Sequence, residues 1–410
     1  MASLGLISPR LPSDELQSVY AQTQGVPFYA RPDWAAALKE SPNALSKLPR
    51  LTKAELREHS PHNLLPARFN LSQLVAQGII EEESTSGTSG ASVQVVFGSR
   101  WWAEQEMRAL KQNPFIRKIL DKTPEARRAV FTTPGCSGVS CFARWLNFEQ
   151  RIIGSTLYVN QSRIPFSIPE DKLAAMAEET KQWQPTFFDV DPVHGMWLAL
   201  YCERHGLNFP SLHFIISSYE FTSVLHRRIM ERVFGVPVIN LYGSSETGHL
   251  LIEEAAGRMT PSPVTAFLEL CDVDAQGIGQ LLVTTRTNEY LPLLRYEIGD
   301  LAEIIPSGYR IHGRVRDALR RADGSVLTTY QVDQCFQDIL GLAHYQVRQS
   351  TDGRCEVFLL PEIPGEKLDA TKAVVAERLT RLTGSPINIA VVPLIPPEDS
   401  GKFRLTTRVA

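Results

Sequence analysis

Short apolar segments alternate with amphipathic segments through the middle of the chain, from residue 129 to residue 240. Residues 171–183 and 193–205 repeat apolar side chains at the spacing of helices that have one buried face. Residues 212–217 and 236–241 are continuous apolar runs bounded by turn residues, which is typical of buried strands. Because strands and helices alternate here, the pattern predicts an α/β architecture.

The two ends of the chain follow different patterns. Residues 1–80 predict short helices separated by prolines, one of which begins after Thr52, where Glu55 completes a capping box. Two apolar runs between residues 280 and 305 predict strands of a partly antiparallel region. The order strand, strand, helix, strand between residues 345 and 392 predicts a small α+β domain at the carboxyl end of the chain.

Composition narrows the class of protein. The chain has 410 residues, of which 43% are apolar and 21% charged, with a formal net charge of −3, and its length predicts two or three domains. This balance argues against a protein that coats nucleic acid or an anionic membrane, since both need a large basic excess. No apolar run reaches the roughly 20 residues of a membrane span, and no charged leader precedes an apolar stretch. With six scattered cysteines, we expect reduced thiols and a cytoplasmic location.

A loop of small polar residues is the first of four segments with candidate chemistry. Its two glycines allow the backbone to curl, so that successive amide N–H groups surround phosphate oxygens, and its four hydroxyls add donors. A flexible linker is the alternative that the same composition fits. The loop consists of Thr85, Ser86, Gly87, Thr88, Ser89 and Gly90.

The second segment, residues 242–248, follows the strand predicted over 236–241, and the ends of strands are where open α/β sheets bind ligands. It contains the aromatic ring of Tyr242, the hydroxyl of Ser245 and the carboxylate of Glu246. These groups suit base stacking, a phosphate contact and Mg²⁺ binding. An ordinary loop with a capping carboxylate is the alternative.

The third and fourth segments each offer one charged side chain. Asp300 follows Gly299 in a predicted turn before a strand, and a carboxylate there accepts hydrogen bonds from two ribose hydroxyls. An aspartate in a type I turn is the alternative. Lys402 follows Gly401 near the end of the chain, where a lysine is normally solvated, so its interest depends on the other three segments.

Taken together and in this order, these segments resemble the adenylate-forming superfamily of acyl- and aryl-CoA ligases and peptide-synthetase adenylation domains. Within it, the likeness is to the phenylacetate–CoA ligases. Residues 48–56 also look like the early P-x-L-T-K-x-x-L segment of that branch. The motifs that carry the resemblance are TSGTSG at 85–90, YGSSETG at 242–248, RYEIGD at 295–300, GRVRD at 313–317 and SGKFR at 400–404.

The resemblance implies an α/β fold in two parts. A large N-terminal domain of packed sheets and helices, residues 1–315, would bind ATP and the acyl substrate. A small, mobile α+β C-terminal domain, residues 316–410, would carry the adenylation lysine. The implied reaction joins a carboxylic acid to the α-phosphorus of ATP, and a thiol, usually of coenzyme A, then displaces AMP. Attack by one anion on another needs charge neutralisation, which donor loops, Mg²⁺ and a lysine supply.

The resemblance also assigns roles to individual residues. The catalytic residues are Lys402, which bridges acyl carboxylate and phosphate, Ser245, which touches the α-phosphate, and Glu246, which is also the Mg²⁺ ligand. Residues 85–90 hold the departing phosphates. The other nucleotide-binding residues are Ser218, Tyr219, Glu220, Tyr242, Gly243, Asp300 and Arg314. The residues assigned to the acyl pocket are Phe131, Tyr219, Gly243 and Ser244.

The sequence departs from its relatives at three places. Ala-Ser-Val-Gln at 91–94 replaces the proline and lysine that often follow the phosphate loop, so we expect less positive charge on the pyrophosphate side. Ser245 replaces the usual threonine, which is a conservative change. In relatives the hinge residue is commonly aspartate, but this chain has Arg316 at that position and Asp317 directly after it. This difference concerns the hinge and therefore the thiol-dependent step.

Aromatic side chains suggest the kind of acid. Phe131, Phe214, Tyr219 and Tyr242 could form a flat slot, which favours an aryl acid over a long alkyl chain. Core packing is the alternative for each of them, and for Phe214 it is the preferred interpretation.

The acceptor and the partners follow from the same resemblance. Coenzyme A and a carrier-protein phosphopantetheine offer the same thiol arm, so the sequence is compatible with a CoA ligase or with a freestanding enzyme that loads a carrier protein. A catalytically weak relative that serves as a binding protein is the third alternative, against which the retention of the charged motif residues argues. We expect small-molecule partners (the acid, ATP and coenzyme A), no nucleic acid or membrane partner, and a monomer or homodimer.

Overall fold

The computed structural model describes residues 5–7, 13–40, 44–85, 92–132, 146–255, 257–306 and 308–409. Within these ranges the helices are α1 (Ser13–Gln22), α2 (Pro32–Glu40), α3 (Lys53–His59), α4 (Leu71–Ala76), α5 (Trp101–Leu110), α6 (Pro114–Lys122), α7 (Glu170–Trp183), α8 (Pro192–Arg204), α9 (Val224–Phe234), α10 (Thr329–Asp333) and α11 (Asp369–Thr383).

The strands of the same ranges are mostly short in the first half of the chain and longer in the second. They are β1 (Gly5–Ile7), β2 (Ile80–Ser84), β3 (Gln94–Gly98), β4 (Arg128–Phe131), β5 (Ile152–Ile153), β6 (Thr156–Tyr158), β7 (Phe187–Val190), β8 (Phe214–Ser217), β9 (Val238–Ser244), β10 (Gly248–Ala255), β11 (Arg258–Pro261), β12 (Ala266–Val273), β13 (Ile278–Thr285), β14 (Tyr296–Ile305), β15 (Gly308–Arg314), β16 (Leu319–Arg320), β17 (Val326–Leu327), β18 (Leu342–Gln349), β19 (Cys355–Pro361), β20 (Ile387–Val391) and β21 (Thr406–Arg408).

Local sequence rules predicted several of these elements correctly. Helices α7 and α8 and strand β8 lie within two residues of the segments expected from the apolar pattern. The capping box at the start of α3 is present, because the Thr52 hydroxyl accepts from the Glu55 amide and the Glu55 carboxylate accepts from the Thr52 amide at 3.0 Å. Strand β9 differs, since it continues to Ser244 into the predicted loop.

The residues group into two compact units, each formed by two stretches of chain. The first unit comprises Met1–Pro114 and Leu241–His312. In it, neighbouring strands follow the order β1, β12, β13, β14, β15, β11, β10, and residues 241–244 of β9 pair antiparallel with β10. Strands β2 and β3 form a separate antiparallel pair. Trp34, Leu51, Leu56 and Tyr296 are buried in the core of this unit.

The second unit comprises Phe115–Asn240 and Gly313–Ala410. Its parallel strands follow the order β6, β4, β7, β8 and residues 238–240 of β9, with β5 antiparallel at the edge. A further sheet has the order β20, β19, β18, β21. Leu225 of α9 is buried with Val332 and Tyr345 in one apolar cluster, so α9 packs against the carboxyl-terminal elements.

The α/β class and the α+β composition of the C-terminal region agree with the sequence analysis. The division into domains at residues 315 and 316 stays a prediction. In the described ranges, no helix combines the length and apolar character needed to cross a membrane. Cysteines within those ranges are free thiols, which agrees with the expectation of reduced cysteines.

Candidate active site

The strand pair β9–β10 carries the YGSSETG motif in the first unit. The strands close on a turn at residues 245–247, where Ser244 faces Gly248 and Gly243 faces His249. At Gly243 the strands approach so closely that a Cβ atom would overlap the Gly248 carbonyl oxygen. A glycine is therefore required at this position.

Tyr242 and Asp300 form a hydrogen-bonded pair in the first unit. The Tyr242 hydroxyl donates to Asp300 Oδ2 at 2.6 Å, and both side chains are partly exposed. The structure thus brings together two residues that the sequence analysis assigned to the same nucleoside.

The prediction of a turn before Asp300 is wrong, because Asp300 lies inside strand β14. Between the pairs Glu297–Leu282 and Leu301–Gln280, the register of β14 against β13 shifts. Such an irregularity is a bulge, and Gly299 at its centre has a φ of 87°, which favours glycine. Gly299 does adopt the unusual backbone conformation that the sequence predicted. Because β14 has neighbouring strands on both sides, this conformation forms a bulge within the strand and the chain does not turn back.

Glu246 is a buried carboxylate surrounded by donors. Lys53 Nζ lies 3.5 Å from Glu246 Oε1, and the Tyr296 hydroxyl donates to the same oxygen at 3.2 Å. Burial opposes ionisation, but the Lys53 charge and hydrogen bonds from Ser244, the residue's own amide and Tyr296 outweigh it and lower the pKa of Glu246 below its usual value. The first unit therefore keeps one buried anion at the tip of the motif.

Ser244 and Ser245 point to different partners. The Ser244 hydroxyl lies 3.0 Å from the Thr247 hydroxyl, within the turn. Ser245 donates a hydrogen bond to Glu83, whose pKa is raised by burial and also by the nearby charge of Glu246. A second carboxyl group therefore lies beside Glu246 and binds protons more tightly.

The phosphate loop predicted at residues 85–90 connects β2 to β3. Thr85 is buried and closes this hairpin, because its hydroxyl accepts from the Val93 amide at 3.0 Å and its amide donates to the Val93 carbonyl at 2.9 Å. The hydroxyl of Thr85 thus binds protein backbone in this structure. Ser86, Gly87, Thr88, Ser89 and Gly90 lie outside the described residues, and their phosphate-binding role stays a prediction.

In the second unit, residues 218–220 follow the carboxyl end of β8 and are organised by Asp189. The Ser218 hydroxyl donates to Asp189 Oδ1 at 3.0 Å and the Tyr219 hydroxyl to Oδ2 at 3.4 Å. Arg128 Nη1 lies 3.6 Å from the same carboxylate. Tyr219 has a φ of 74°, a conformation that side-chain-bearing residues seldom adopt and that often marks functional sites.

Lys402 lies in a tight turn of the second unit that meets residues 219 and 220. Its ammonium donates to the Tyr219 carbonyl oxygen at 2.9 Å, and the Phe403 amide donates to Glu220 Oε2 at 2.6 Å. The turn is closed by the Glu398 amide, which donates to the Lys402 carbonyl oxygen at 2.9 Å. Lys402 thus contacts Tyr219, and its neighbour Phe403 contacts Glu220, so the structure brings together three residues that the resemblance assigned to one site.

Ion pairs join the GRVRD and SGKFR motifs within the second unit. Arg316 Nη2 lies 3.2 Å from Glu398 Oε2, and Arg404 Nη1 lies 2.7 Å from Glu398 Oε1. Both arginines also form ion pairs with Asp317, and the nitrogen–oxygen distance is shorter for Arg404 than for Arg316. Burial raises the pKa of Asp317 while the arginines oppose that rise, so Arg316 at the expected hinge position has a definite electrostatic partner.

Three further assigned residues have different surroundings. Phe131 is fully buried on β4 and packs edge-on against Phe188, with ring centroids 5.0 Å apart. Phe214 is also fully buried and stacks on Phe187 at 4.9 Å, which confirms the core interpretation of that residue. Arg314 ends β15 and is half-buried. The acyl-pocket role of Phe131 and the ribose role of Arg314 stay predictions.

Sequence reasoning missed several residues that contact the assigned ones. Lys53 and Tyr296 bind Glu246, and each lies inside a quoted motif, so motif membership could have identified them. Asp189 organises Ser218 and Tyr219 but lies outside every motif. Its position next to the end of a parallel strand was the available signal.

Comparison with curated proteins gives two relatives, whereas no protein-family model matches the chain. The chain is 24% identical over 344 residues to the phenylacetate-coenzyme A ligase of Escherichia coli, covering 77% of this chain and 73% of that protein. It is 27% identical over 203 residues to protein CapK of Staphylococcus aureus. The second match covers 46% of this chain and 45% of CapK, so it spans less than half of that relative.

Solved structures give a likeness over nearly the whole chain. A 2-hydroxyisobutyryl-CoA ligase in the postadenylation state has a TM-score of 0.70 at 16% identity, covering 97% of this chain and 88% of that chain. The chain has the adenylate-forming ligase fold. An anthranilate CoA ligase in complex with anthranoyl-AMP shares the adenylate-forming fold with a TM-score of 0.56 at 17% identity, over 79% of this chain and 64% of that one. The resemblance predicted from the motifs is confirmed.

Proposed function

We propose that this protein is an AMP-forming acid–thiol ligase. The carboxylate of an acid attacks the α-phosphorus of ATP and expels pyrophosphate, and a thiol then attacks the acyl carbon and expels AMP. The observation that carries the proposal is Glu246, a buried carboxylate whose pKa is lowered by Lys53 and by hydrogen bonds. A buried, ionised carboxylate at the end of a strand pair is a candidate for binding a cation or a ligand.

The nucleotide half of the proposal rests on the first unit. Tyr242 offers a ring for the adenine, and Asp300 offers a carboxylate for the ribose hydroxyls. Glu246 fits Mg²⁺, because it is an ionised oxygen ligand, and Mg²⁺ is commonly held by one or two carboxylates together with substrate phosphates. No group of three or more metal-ligating side chains occurs in the described part of the chain. When bound, Mg²⁺ neutralises phosphate charge.

The acyl half of the proposal rests on Lys402. Its ammonium donates to the Tyr219 carbonyl oxygen at 2.9 Å, next to the carboxyl group of Glu220. In the proposed reaction the ammonium offsets the repulsion between the acyl carboxylate and the α-phosphate. This stabilisation is greatest in the transition state, where the two anions are joined.

Coenzyme A is the proposed thiol and an aromatic acid the proposed substrate. Relatives named for CoA support the thiol: the curated phenylacetate-coenzyme A ligase and the 2-hydroxyisobutyryl- and anthranilate CoA ligases of similar fold. Two of these names contain an aromatic acid. In this chain Tyr219 of the second unit and Tyr242 of the first unit each offer a partly exposed aromatic ring, while Phe131 and Phe214 are buried in core packing.

The proposal is tested by measuring pyrophosphate release over a panel of aryl, amino and alkyl acids, with and without coenzyme A. We expect release that depends on the acid and on Mg²⁺, with benzoate- or phenylacetate-like acids faster than hexanoate, and thioester formed only when coenzyme A is present. Faster turnover of medium-chain fatty acids would reject the aromatic substrate alone. If thioester forms with a carrier protein and not with coenzyme A, the carrier protein replaces coenzyme A as the proposed acceptor. If no acid gives pyrophosphate release, the proposed function is rejected.

A further inference from the structure

The Glu220 side chain lies between a backbone amide, which donates a hydrogen bond, and a second carboxyl group. On one side, its Oε2 accepts from the Phe403 amide at 2.6 Å, the residue next to Lys402. On the other side, it shares a hydrogen bond with the Asp191 carboxyl group. Two carboxyl groups can share a hydrogen bond only when one of them carries a proton.

The surroundings of Asp191 decide which carboxyl group carries the proton. Asp191 is the N-cap of α8, and its Oδ1 accepts from the Val193 amide at 3.0 Å and the His194 amide at 3.4 Å. His194 Nδ1 lies 3.2 Å from the same oxygen, while Nε2 of that ring faces the Ser162 carbonyl oxygen at 3.0 Å. Because two backbone amides donate to it, Asp191 acts as an acceptor, and Glu220 is the carboxyl group that donates in the contact between them.

The pKa of Glu220 agrees with this assignment. Burial and then the Asp191 charge raise the pKa of Glu220 well above its usual value, and the Phe403 amide and Lys402 oppose the rise without cancelling it. A protonated Glu220 has one donor and one free acceptor oxygen. The donor serves Asp191 and the acceptor serves the Phe403 amide.

We propose that Glu220 is a positioning residue for Lys402, and that its carboxyl group bridges Asp191 at the start of α8 to the Phe403 amide and so holds the Lys402 turn. The proposal rests on the proposed function, in which Lys402 acts during acyl-adenylate formation. It gives Glu220 a role on the protein backbone instead of the nucleotide-binding role that the resemblance implied. The bridge anchors the turn at the residue directly after Lys402.

If the Glu220 carboxyl group bridges Asp191 and the Phe403 amide in its protonated form, two substitutions of Glu220 should have different effects. Glu220→Gln keeps one donor for Asp191 and one acceptor for the Phe403 amide, so it preserves the bridge without the acid. Glu220→Ala removes both contacts and leaves the turn without its anchor. Glu178→Ala, an exposed glutamate of α7, is the matched control.

The experiment measures acyl-adenylate formation, thioester formation from a supplied acyl adenylate, and hydrogen exchange of the Phe403 amide. We expect Glu220→Gln and the control to stay within about threefold of the wild type in every readout. Glu220→Ala should lose acyl-adenylate formation by about 10²-fold, the effect of a displacement of about 1 Å at a reacting group. Its KM for ATP and its thioester formation should be unchanged, and its Phe403 amide should exchange faster.

Three results would overturn the proposal. Equal losses for Glu220→Gln and Glu220→Ala would mean that Glu220 acts through its charge or its acidity. A raised KM for ATP in Glu220→Ala would restore the nucleotide-binding role. Unchanged protection of the Phe403 amide in Glu220→Ala would mean that the bridge does not hold the turn. Failure of the proposed function is recognised separately, because a wild-type protein that forms no acyl adenylate still gives the exchange result.

Discussion

Glu246 shows at the residue scale how a buried acid stays ionised. Burial alone would raise its pKa, yet Lys53, Ser244 and Tyr296 reverse the direction. Glu83, which lies beside it, has its pKa raised by burial and by the charges of Glu246 and Glu81. Two neighbouring carboxyl groups thus differ in proton affinity because of their partners, and separated pKa values of this kind are typical of active sites.

Glu246→Gln removes the charge while keeping the size of the side chain. We expect pyrophosphate release to fall by at least about 10²-fold with an unchanged fold, because an anionic metal ligand is lost. The comparison is with Glu254→Gln on strand β10, whose side chain pairs with Arg258 instead. Near-normal release by the Glu246 variant would exclude the metal-binding role.

Lys53→Met should change the pH dependence of the reaction. The Glu246 carboxylate is needed in its ionised form, so activity falls as the pH drops through its pKa. Lys53 lowers that pKa, so its removal raises the pKa and moves the acid limb of the pH profile to higher pH. Lys53→Arg should keep the wild-type limb, and Lys47→Met serves as the control. An acid limb that does not move would show that Lys53 does not govern Glu246.

Lys402→Ala should separate the two half-reactions. Lys402 is partly exposed and its ammonium donates to the Tyr219 carbonyl oxygen, so its removal should cost about 0.5–1.5 kcal/mol of stability. Acyl-adenylate formation should nevertheless fall by about 10²-fold or more, because the ammonium acts where two anions meet. Thioester formation from a supplied acyl adenylate should persist, since no such encounter occurs there. Lys367→Ala is the control; equal loss of both steps by the Lys402 variant would contradict the assigned role.

At the scale of elements, the β9–β10 pair converts a short motif into a shaped site. The apolar pattern predicted the start of β9, but the strand runs on to Ser244 because β10 supplies hydrogen-bond partners across the turn. The bulge in β14 likewise depends on β13, which faces it. Pairing between strands extends or bends each segment in ways that its own residues do not encode.

Gly243→Ala should destabilise this strand pair. The new Cβ would lie 2.9 Å from the Gly248 carbonyl carbon and closer still to its oxygen, so the strands must separate. We expect a loss of about 1–3 kcal/mol in the free energy of unfolding and a higher KM for ATP, because Tyr242 and Glu246 shift with the strands. In Gly98→Ala, the control, the nearest atom is 3.5 Å away. Equal melting temperatures for the two variants would contradict the close approach.

At the scale of the whole molecule, distant stretches of chain meet through single polar contacts. In the second unit, Asp333 accepts from the Ser223 hydroxyl at 2.5 Å, the Val224 amide at 2.9 Å and the Tyr345 hydroxyl at 2.9 Å. It therefore joins the start of α9 to β18. Burial raises the pKa of Asp333 to about 6, and the three donors reduce that rise.

Asp333→Asn should remove one pH dependence of stability. The folded-state pKa of Asp333 lies above the unfolded value of about 3.9, so folding binds a proton in this range. Its contribution is fully present below about pH 4 and is lost as the pH rises through about 6. The difference in unfolding free energy between wild type and variant should therefore change in the variant's favour from pH 4 to 7 in denaturant titrations. A difference independent of pH would show that Asp333 titrates normally.

The sequence by itself determined those features that depend on neighbours along the chain. The capping box of α3, the helices α7 and α8 and the buried strand β8 follow from residue spacing, since each element forms most of its contacts within a few residues. The motifs and their order along the chain also predicted the fold, because a resemblance to a family can be recognised from the sequence before the position of any motif in space is known. Tyr242 and Asp300 were expected at one nucleoside and do form a pair.

Only the tertiary structure decided which side chains act on the motif residues. Lys53 reaches Glu246, Asp189 orders Ser218 and Tyr219, and Glu220 meets the Phe403 amide across 183 positions of the chain. No local pattern encodes such contacts, because they arise when separate elements pack and each buried polar group needs a partner. The proton affinity of Glu246 and Glu220, and hence their chemistry, is set by that packing.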